Sequence, residues 1–215
     1  MRPGLFISVE GGEGAGKSTQ VGLLAGDLRR AGIDVLVTRE PGGSPGAEDI
    51  RGLLVSGETG RWSPLSEALL HYAARCDHLE RTVRPALAAG RWVISDRFAD
   101  STMAYQGYGH RLGRECIESL HRLAVGAFAP DLTVILDLPI EAGLARAAGR
   151  GDREDRYERM DAAFHRRLRA GFLEIAAREP DRCAVVDATG PADTVHRAIV
   201  TLVGERLGVD LRGSS

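Results

Sequence analysis

One short glycine loop, set between an apolar run and a helical stretch, constrains this chain more than any other feature. Residues 11–18 read Gly11, Gly12, Glu13, Gly14, Ala15, Gly16, Lys17, Ser18, which satisfies G-x-x-x-x-G-K-[ST] in full, and Thr19 follows. The run before it, Leu5-Phe6-Ile7-Ser8-Val9, reads as a buried strand, and the stretch after it reads as a helix. That order of strand, loop and helix is the context that makes the pattern a physical site. Glycines let the backbone wrap an anion, and the loop amides and helix N-terminus then point at it. Lys17 is placed to bridge the β- and γ-phosphates of a bound nucleotide, and Ser18 to hold Mg²⁺. The plain alternative is a chance glycine-rich turn.

The rest of the chain supplies a sheet for that loop. Five short apolar runs, at 5–9, 35–38, 92–96, 132–137 and 183–187, end in or just before polar or acidic residues. Helical patterns fill the intervals, at about 17–31, 47–56, 64–89, 114–126, 140–148, 155–178 and 192–207. Near-continuous apolar strands alternating with helices predict a parallel sheet covered on both faces, a single α/β sandwich with right-handed crossovers. Ligands in such folds sit at the carboxyl ends of the strands, so the chemistry is expected just after Val9, Thr38, Asp96 and Asp137. The end of the chain, residues 210–215, reads as a frayed tail.

Composition narrows the class. A chain of 215 residues with 43% hydrophobic and 27% charged residues suits one soluble domain with a real core. With a net charge of −2, no nucleic-acid or membrane partner is expected. No apolar run is long enough to span a bilayer. The first strand begins too early for a signal peptide, so a cytoplasmic location is expected. Three cysteines lie far apart with no C-x-x-C, which fits packing rather than a disulfide framework or zinc.

Several further clusters carry potential chemistry. Two strands end in an apolar-then-Asp form, at Asp96 and Asp137, but only the first continues into arginine, Arg97. An Asp beside the phosphates can orient Mg²⁺, and an Arg one residue on can fork onto a second phosphate. Asp137, before Leu-Pro, reads as a strand-end turn residue. Thr38-Arg39-Glu40-Pro41-Gly42-Gly43 makes a sharp turn after the second strand. His71 and Arg75, four apart, share one helix face and could stack on and hydrogen-bond to a base. By spacing alone a solvated polar face beside a half-buried Tyr72 is the favoured reading. Ser101, Thr102, Tyr105 and Gln106 are suited to reading a sugar and a base edge, or they are simply a capped helix start. Arg146, Arg150, Arg153 and Arg156 sit among glycines and acids in a stretch that reads as a mobile flap, or as self-paired surface charge.

In order along nearly the whole chain, these runs resemble bacterial thymidylate kinases. The resemblance runs from Glu10 to Thr19, through Thr38–Gly43, Tyr72–Arg75, Asp96-Arg97 and Ser101–Gly107, to Pro130–Asp137, the arginine-rich flap and Asp187–Thr189. It implies a P-loop NTPase-type three-layer sandwich, one kinase domain over about 1–209 with a lid near 146–156. It also implies phosphoryl transfer from ATP to dTMP with Mg²⁺, and a homodimer formed through helices beside the sheet, with the long helix from Pro64 a candidate. Glu13 is implied to accept from the acceptor's 3′-hydroxyl, Arg97 and Arg51 to hold its phosphate, and Arg75 to donate to thymine O4. Tyr105 is implied to lie against C2′ of the sugar, Ser101, Thr102 and Gln106 to line the acceptor pocket, and Glu40 and Pro41 to shape the acceptor loop. Asp187–Thr189 is implied to border the adenine of ATP. Gly14 stands where one type of the family carries arginine, so this chain resembles the type that supplies the arginine from its lid. Arg156 is the first candidate, then Arg150 and Arg153. His71 stands where the family usually has Phe, which implies weaker base stacking or a pH dependence near 6.5. The remaining readings are a P-loop kinase for another nucleotide or a deoxynucleoside and a nucleotide-dependent switch. The lack of Asn-Lys-x-Asp counts against a GTPase switch.

Overall fold

The computed structural model describes residues 3–149 and 156–211. Five parallel strands form one sheet in the order β2-β3-β1-β4-β5: β1 (Phe6–Gly11), β2 (Val35–Arg39), β3 (Trp92–Asp96), β4 (Leu132–Asp137) and β5 (Cys183–Asp187). The inner strand β1 is buried along its length, and Val37 and Val185 on the two outer strands are exposed. That contrast explains why the inner strands read as unbroken apolar runs.

Nine α-helices are present among the described residues. Helices α1 (Lys17–Arg30) and α9 (Ala192–Leu207) cover one face, where Leu24, Leu28, Ile199 and Val203 pack on Ile7, Val9 and Val134. The other face is covered by α3 (Pro64–His78), α4 (Arg84–Ala88), α5 (Ala99–Thr102), α6 (Arg114–Val125) and α8 (Ala162–Arg178). Its core holds Phe6, Phe98, Ile135, Phe164 and Phe172. Alternate residues of each strand thus feed opposite layers. Helices α2 (Pro45–Leu54) and α7 (Ile140–Ala148) lie beside the carboxyl ends of the strands, where Arg51 shares a cavity with Arg97 and Gly143 abuts Gly14.

The expected elements are present with four revisions. The stretch 64–89 is not one α-helix: α3 opens at an N-cap where Ser63 accepts from the Ser66 amide, and it widens into a π-helical turn, Leu79–Val83, before α4. The widened turn ends just before Pro85, which has no amide to continue an α ladder. A second π segment, Met103–Gly109, follows α5. The expected helix at 155–178 begins only at Ala162, where Asp161 accepts from the Phe164 amide at 2.6 Å. Leu211, within the expected tail, is buried against the α1–α9 core. Residues 212–215 lie outside the described residues.

Candidate active site

The loop after β1 closes over the start of α1. At Gly14 the backbone has φ +67°, and a Cβ there would lie 2.0 Å from the Gly143 carbonyl oxygen of α7. No side chain fits that position. Lys17 donates to the Gly12 carbonyl at 2.8 Å, and Ser18 Oγ donates to Asp96 Oδ2 at 2.6 Å. Burial, and then the neighbouring Arg97, push the Lys17 ammonium down to about 8. Gly11, Gly12, Ala15, Gly16 and Thr19 complete the loop and the first helical turn.

Arg97 follows directly from β3, with φ +73°, a conformation costly for a side-chain-bearing residue and held here by its partners. Its guanidinium donates to Gly11 O (3.0 Å), Ser101 Oγ (3.1 Å) and Glu13 Oε1 (3.1 Å), and it lies 4.9 Å from the Tyr105 ring centre. Tyr105 donates to the same Glu13 oxygen at 2.5 Å. Burial opposes ionisation of Glu13, but Arg97, Lys17 and the Tyr105 hydroxyl outweigh it and hold the carboxyl at about 2. Glu10, buried beneath, accepts from the Phe98 amide and from Ser101 Oγ.

A cavity of about 320 Å³ opens from this loop towards α3. Its near wall carries Glu40, Pro41 and Arg51; the Glu40–Pro41 peptide is cis, and Arg51 donates to Pro41 O at 2.7 Å. Its far corner is built on Arg75, which is 2% exposed. Arg75 lies between the Tyr72 and Phe98 rings, at 4.8 and 5.1 Å, and donates through Nε to Glu40 (2.8 Å) and through Nη2 to Thr102 Oγ1 (2.9 Å). Glu40 also meets His78 Nδ1 at 2.9 Å, and the other ring nitrogen of His78 meets Thr38 Oγ1 at 2.7 Å. Two buried atoms in the corner have no hydrogen-bond partner among the described residues: Arg75 Nη1, a donor, and Gln106 Oε1, an acceptor. Both residues line the cavity.

Most of the residues singled out in the sequence therefore come together. Ser18, Lys17, Asp96 and Arg97 meet at the loop, and Glu13, Glu40, Pro41, Arg51, His71, Arg75, Ser101, Thr102, Tyr105 and Gln106 line the same cavity. The reading of His71 and Arg75 as a solvated face is overturned, because Arg75 and Tyr72 are buried.

Two expectations need correction. Arg156 is not a free flap cation. It is fully buried, donates to the carbonyls of Leu54 (3.1 Å), Glu58 (3.0 Å) and Thr59 (2.9 Å), and reaches Glu67 Oε2 at 2.5 Å. Arg150 and Arg153 lie outside the described residues. His71, whose Nε2 is 3.0 Å from Tyr157 Oη, is pushed down to about 4 by burial, against the pull of Glu67. It is neutral near pH 6.5 and gives no titration there.

Three residues beside the cavity escaped the sequence reading: Glu67 accepts from Gln106, His78 meets Glu40, and Tyr157 meets His71. For Glu67 and His78 the α3 stripe Glu67-His71-Arg75-His78, at i, i+4, i+8 and i+11, was the available signal; Tyr157 had none. Asp137 pairs with Arg169 in a two-point contact at 2.7 and 2.8 Å, as befits a strand-end anchor. At the end of β5, Asp187 Oδ1 accepts from the Thr189 amide.

A P-loop whose Lys and Ser face an Asp-Arg strand end, with the cavity running on from it to the buried Arg75, defines a P-loop nucleotide kinase. A family model for thymidylate kinase matches residues 9–199. A thymidylate kinase from Caulobacter vibrioides is 59% identical over 97% of this chain and 100% of its own length. One from Jannaschia sp. is 53% identical over 95% of this chain and 98% of its own. The solved thymidylate kinase from Ehrlichia chaffeensis superposes with a TM-score of 0.77 at 34% identity, over 94% of this chain and 100% of that one. The chain belongs to the thymidylate kinase family. Among the described residues, no helix is long and apolar enough to cross a membrane.

Proposed function

We propose that this chain transfers the γ-phosphoryl group of ATP to dTMP, giving ADP and dTDP. The observation that carries the reading is the donor–acceptor pair left in the far corner of the cavity. Arg75 Nη1 offers a hydrogen to a pyrimidine O4, and Gln106 Oε1 accepts one from N3–H. Thymine has both groups and cytosine has neither. An unpaired donor and acceptor in a buried wall are costly until a matching ligand arrives.

The remaining residues follow from chemistry. The acceptor phosphate is already largely dianionic at neutral pH, since its second pKa is about 6, so no strong base is required. The barrier is alignment of two polyanions and control of their repulsion. Lys17 serves the β- and γ-phosphates. Arg97 and Arg51 hold the acceptor phosphate from the opposite side. Glu13, ionised, accepts from the sugar's 3′-hydroxyl, and Tyr105, fixed to Glu13, crowds the place of a 2′-hydroxyl. Thr102 anchors Arg75, and Ser101 anchors Arg97. Ser18 Oγ and Asp96 Oδ2 are adjacent oxygen donors and suit a hard divalent cation carried by the nucleotide, which would screen phosphate charge when bound.

Gly14 leaves no room for a loop arginine, so a cation for the transferring group comes from elsewhere, and the lid at about 146–156 is the segment we assign to it. With Arg156 engaged as a strut, Arg150 and Arg153 are the candidates. We place the enzyme in the cytoplasm, where it meets ATP and dTMP. We also infer a homodimer through α3 and α6, where Leu65, Leu69 and Leu123 are exposed. An acceptor panel read by ADP release tests the assignment: turnover with dTMP well above that with other nucleoside monophosphates and with nucleosides supports it, and no preference for dTMP refutes it.

A further inference from the structure

Selectivity in the base corner depends on which end of one carboxamide faces the ligand. Gln106 carries an acceptor oxygen and a donor nitrogen of similar size, and a free amide can turn to present either. This one is not free. Its Nε2 donates to Glu67 Oε1 at 2.7 Å. Glu67, on the first turn of α3, is 1% exposed and sits amid cations and donors. Arg156 Nη2 lies 2.5 Å from its other oxygen, and His110 Nε2 lies 3.2 Å from Oε1. Burial works against its charge, but the neighbouring His110, the Gln106 hydrogen bond and Arg156 hold the carboxyl at about 2. An ionised carboxylate can only accept. If the amide turned, two acceptor oxygens would face each other in a buried place.

We propose that Glu67 is the positioning residue that makes the pocket select a 4-keto pyrimidine with N3–H, by holding the Gln106 nitrogen and so turning Oε1 towards the base. The proposal rests on the assignment of Arg75 and Gln106 to the base corner. Glu67 does not touch the nucleotide. Thymine meets Arg75 Nη1 with O4 and Gln106 Oε1 with N3–H. Cytosine brings an amino group to the donor and a bare N3 to the acceptor, a mismatch at both points. Arg156, tied to the carbonyls of Leu54, Glu58 and Thr59, keeps Glu67 charged and in place.

The test is Glu67→Gln, read as the ratio of kcat/KM for dTMP to that for dCMP. A glutamine at 67 can donate or accept, so Gln106 becomes free to turn. The ratio should fall on the order of tenfold or more, chiefly through a better KM for dCMP. A folded variant with an unchanged ratio overturns the proposal and leaves the base corner intact. A wild-type enzyme that fails to prefer dTMP over dCMP overturns both. Should the variant not fold, the wild-type protein decides. The sequence contains no asparagine and two glutamines, Gln20 and Gln106, so a ¹⁵N spectrum shows two carboxamides, and Gln20→Met identifies which is which. The Gln106 amide protons should resist solvent exchange before nucleotide is added and keep their shifts when dTMP binds. Fast exchange in the free enzyme, with protection appearing only on adding dTMP, would mean that the nitrogen faces the base and the proposal is wrong.

Discussion

Replacing Arg156 by methionine separates a structural arginine from a catalytic one. Methionine keeps most of the length and apolar bulk and removes the guanidinium. The change strips donors from three carbonyls of the 54–59 segment and leaves Glu67 charged and buried without its main counter-ion. The exposed side of that segment can recover water, so the Glu67 loss dominates. Breaking one side of a buried ion pair costs ~3–5 kcal/mol. For a chain of this size each kcal/mol moves the midpoint by about 2–4 °C, so Tm should fall by roughly 6–20 °C. Calorimetry gives the midpoint, and steady-state kinetics well below the variant's own Tm give the chemistry. There kcat with dTMP should stay within about tenfold of wild type, since no reacting group has been removed. A Tm within about 2 °C of wild type, together with a kcat loss of ~10²-fold or more, would refute this reasoning and return Arg156 to the phosphoryl group.

Other outcomes follow from the same geometry. Lys17→Ala and Arg97→Ala should each lower kcat/KM by at least ~10²-fold, as for loss of a transition-state donor; near-normal kinetics in either would remove its assigned role. Tyr105→Phe frees Glu13 and loosens the sugar wall, so use of ribo- relative to deoxy-acceptors should rise; a constant ratio would count against the sugar gate. His71, pushed down to about 4, stays neutral through pH 5.5–8, so the pH profiles of wild type and His71→Phe should have the same shape there, and an inflection near 6.5 lost in the variant would contradict the structure. Glu13 and Glu67 are both held near 2 against an ordinary 4.5. Their stabilisation is complete above pH 4.5 and lost as pH falls towards 2, with a limiting slope of about 2.7 kcal/mol per pH unit for the two; denaturant melts at pH 3 and 5 that give equal stability would refute this.

The sheet and phosphate loop were legible because they depend on local pattern. Buried parallel strands announce themselves as apolar runs, and Gly11–Ser18 behind Leu5–Val9 has few other uses. The arginines were harder to read. The polarity of Arg75 and Arg156 pointed to solvent or to a flap, yet both are buried. What buries them arrives from elsewhere in the chain: Glu40 and Thr102 for Arg75, and residues 54–67 for Arg156. Local spacing does not report partners that far away. Glu67 carries no local mark beyond being an acid in the first turn of α3, and its link to Gln106 exists only once the π segment after α5 turns that amide inwards. The same holds for His78, whose partners Thr38 and Glu40 belong to the end of β2 and the loop after it.

The most direct test is a crystal structure with dTMP and a non-hydrolysable ATP analogue. Thymine O4 should lie within hydrogen-bond reach of Arg75 Nη1 and N3–H within reach of Gln106 Oε1, with the dTMP phosphate on Arg97 and the triphosphate in the loop at Lys17. A thymidine nucleotide seated away from Arg75 and Gln106, or a base corner that leaves both atoms unpaired, would contradict the account.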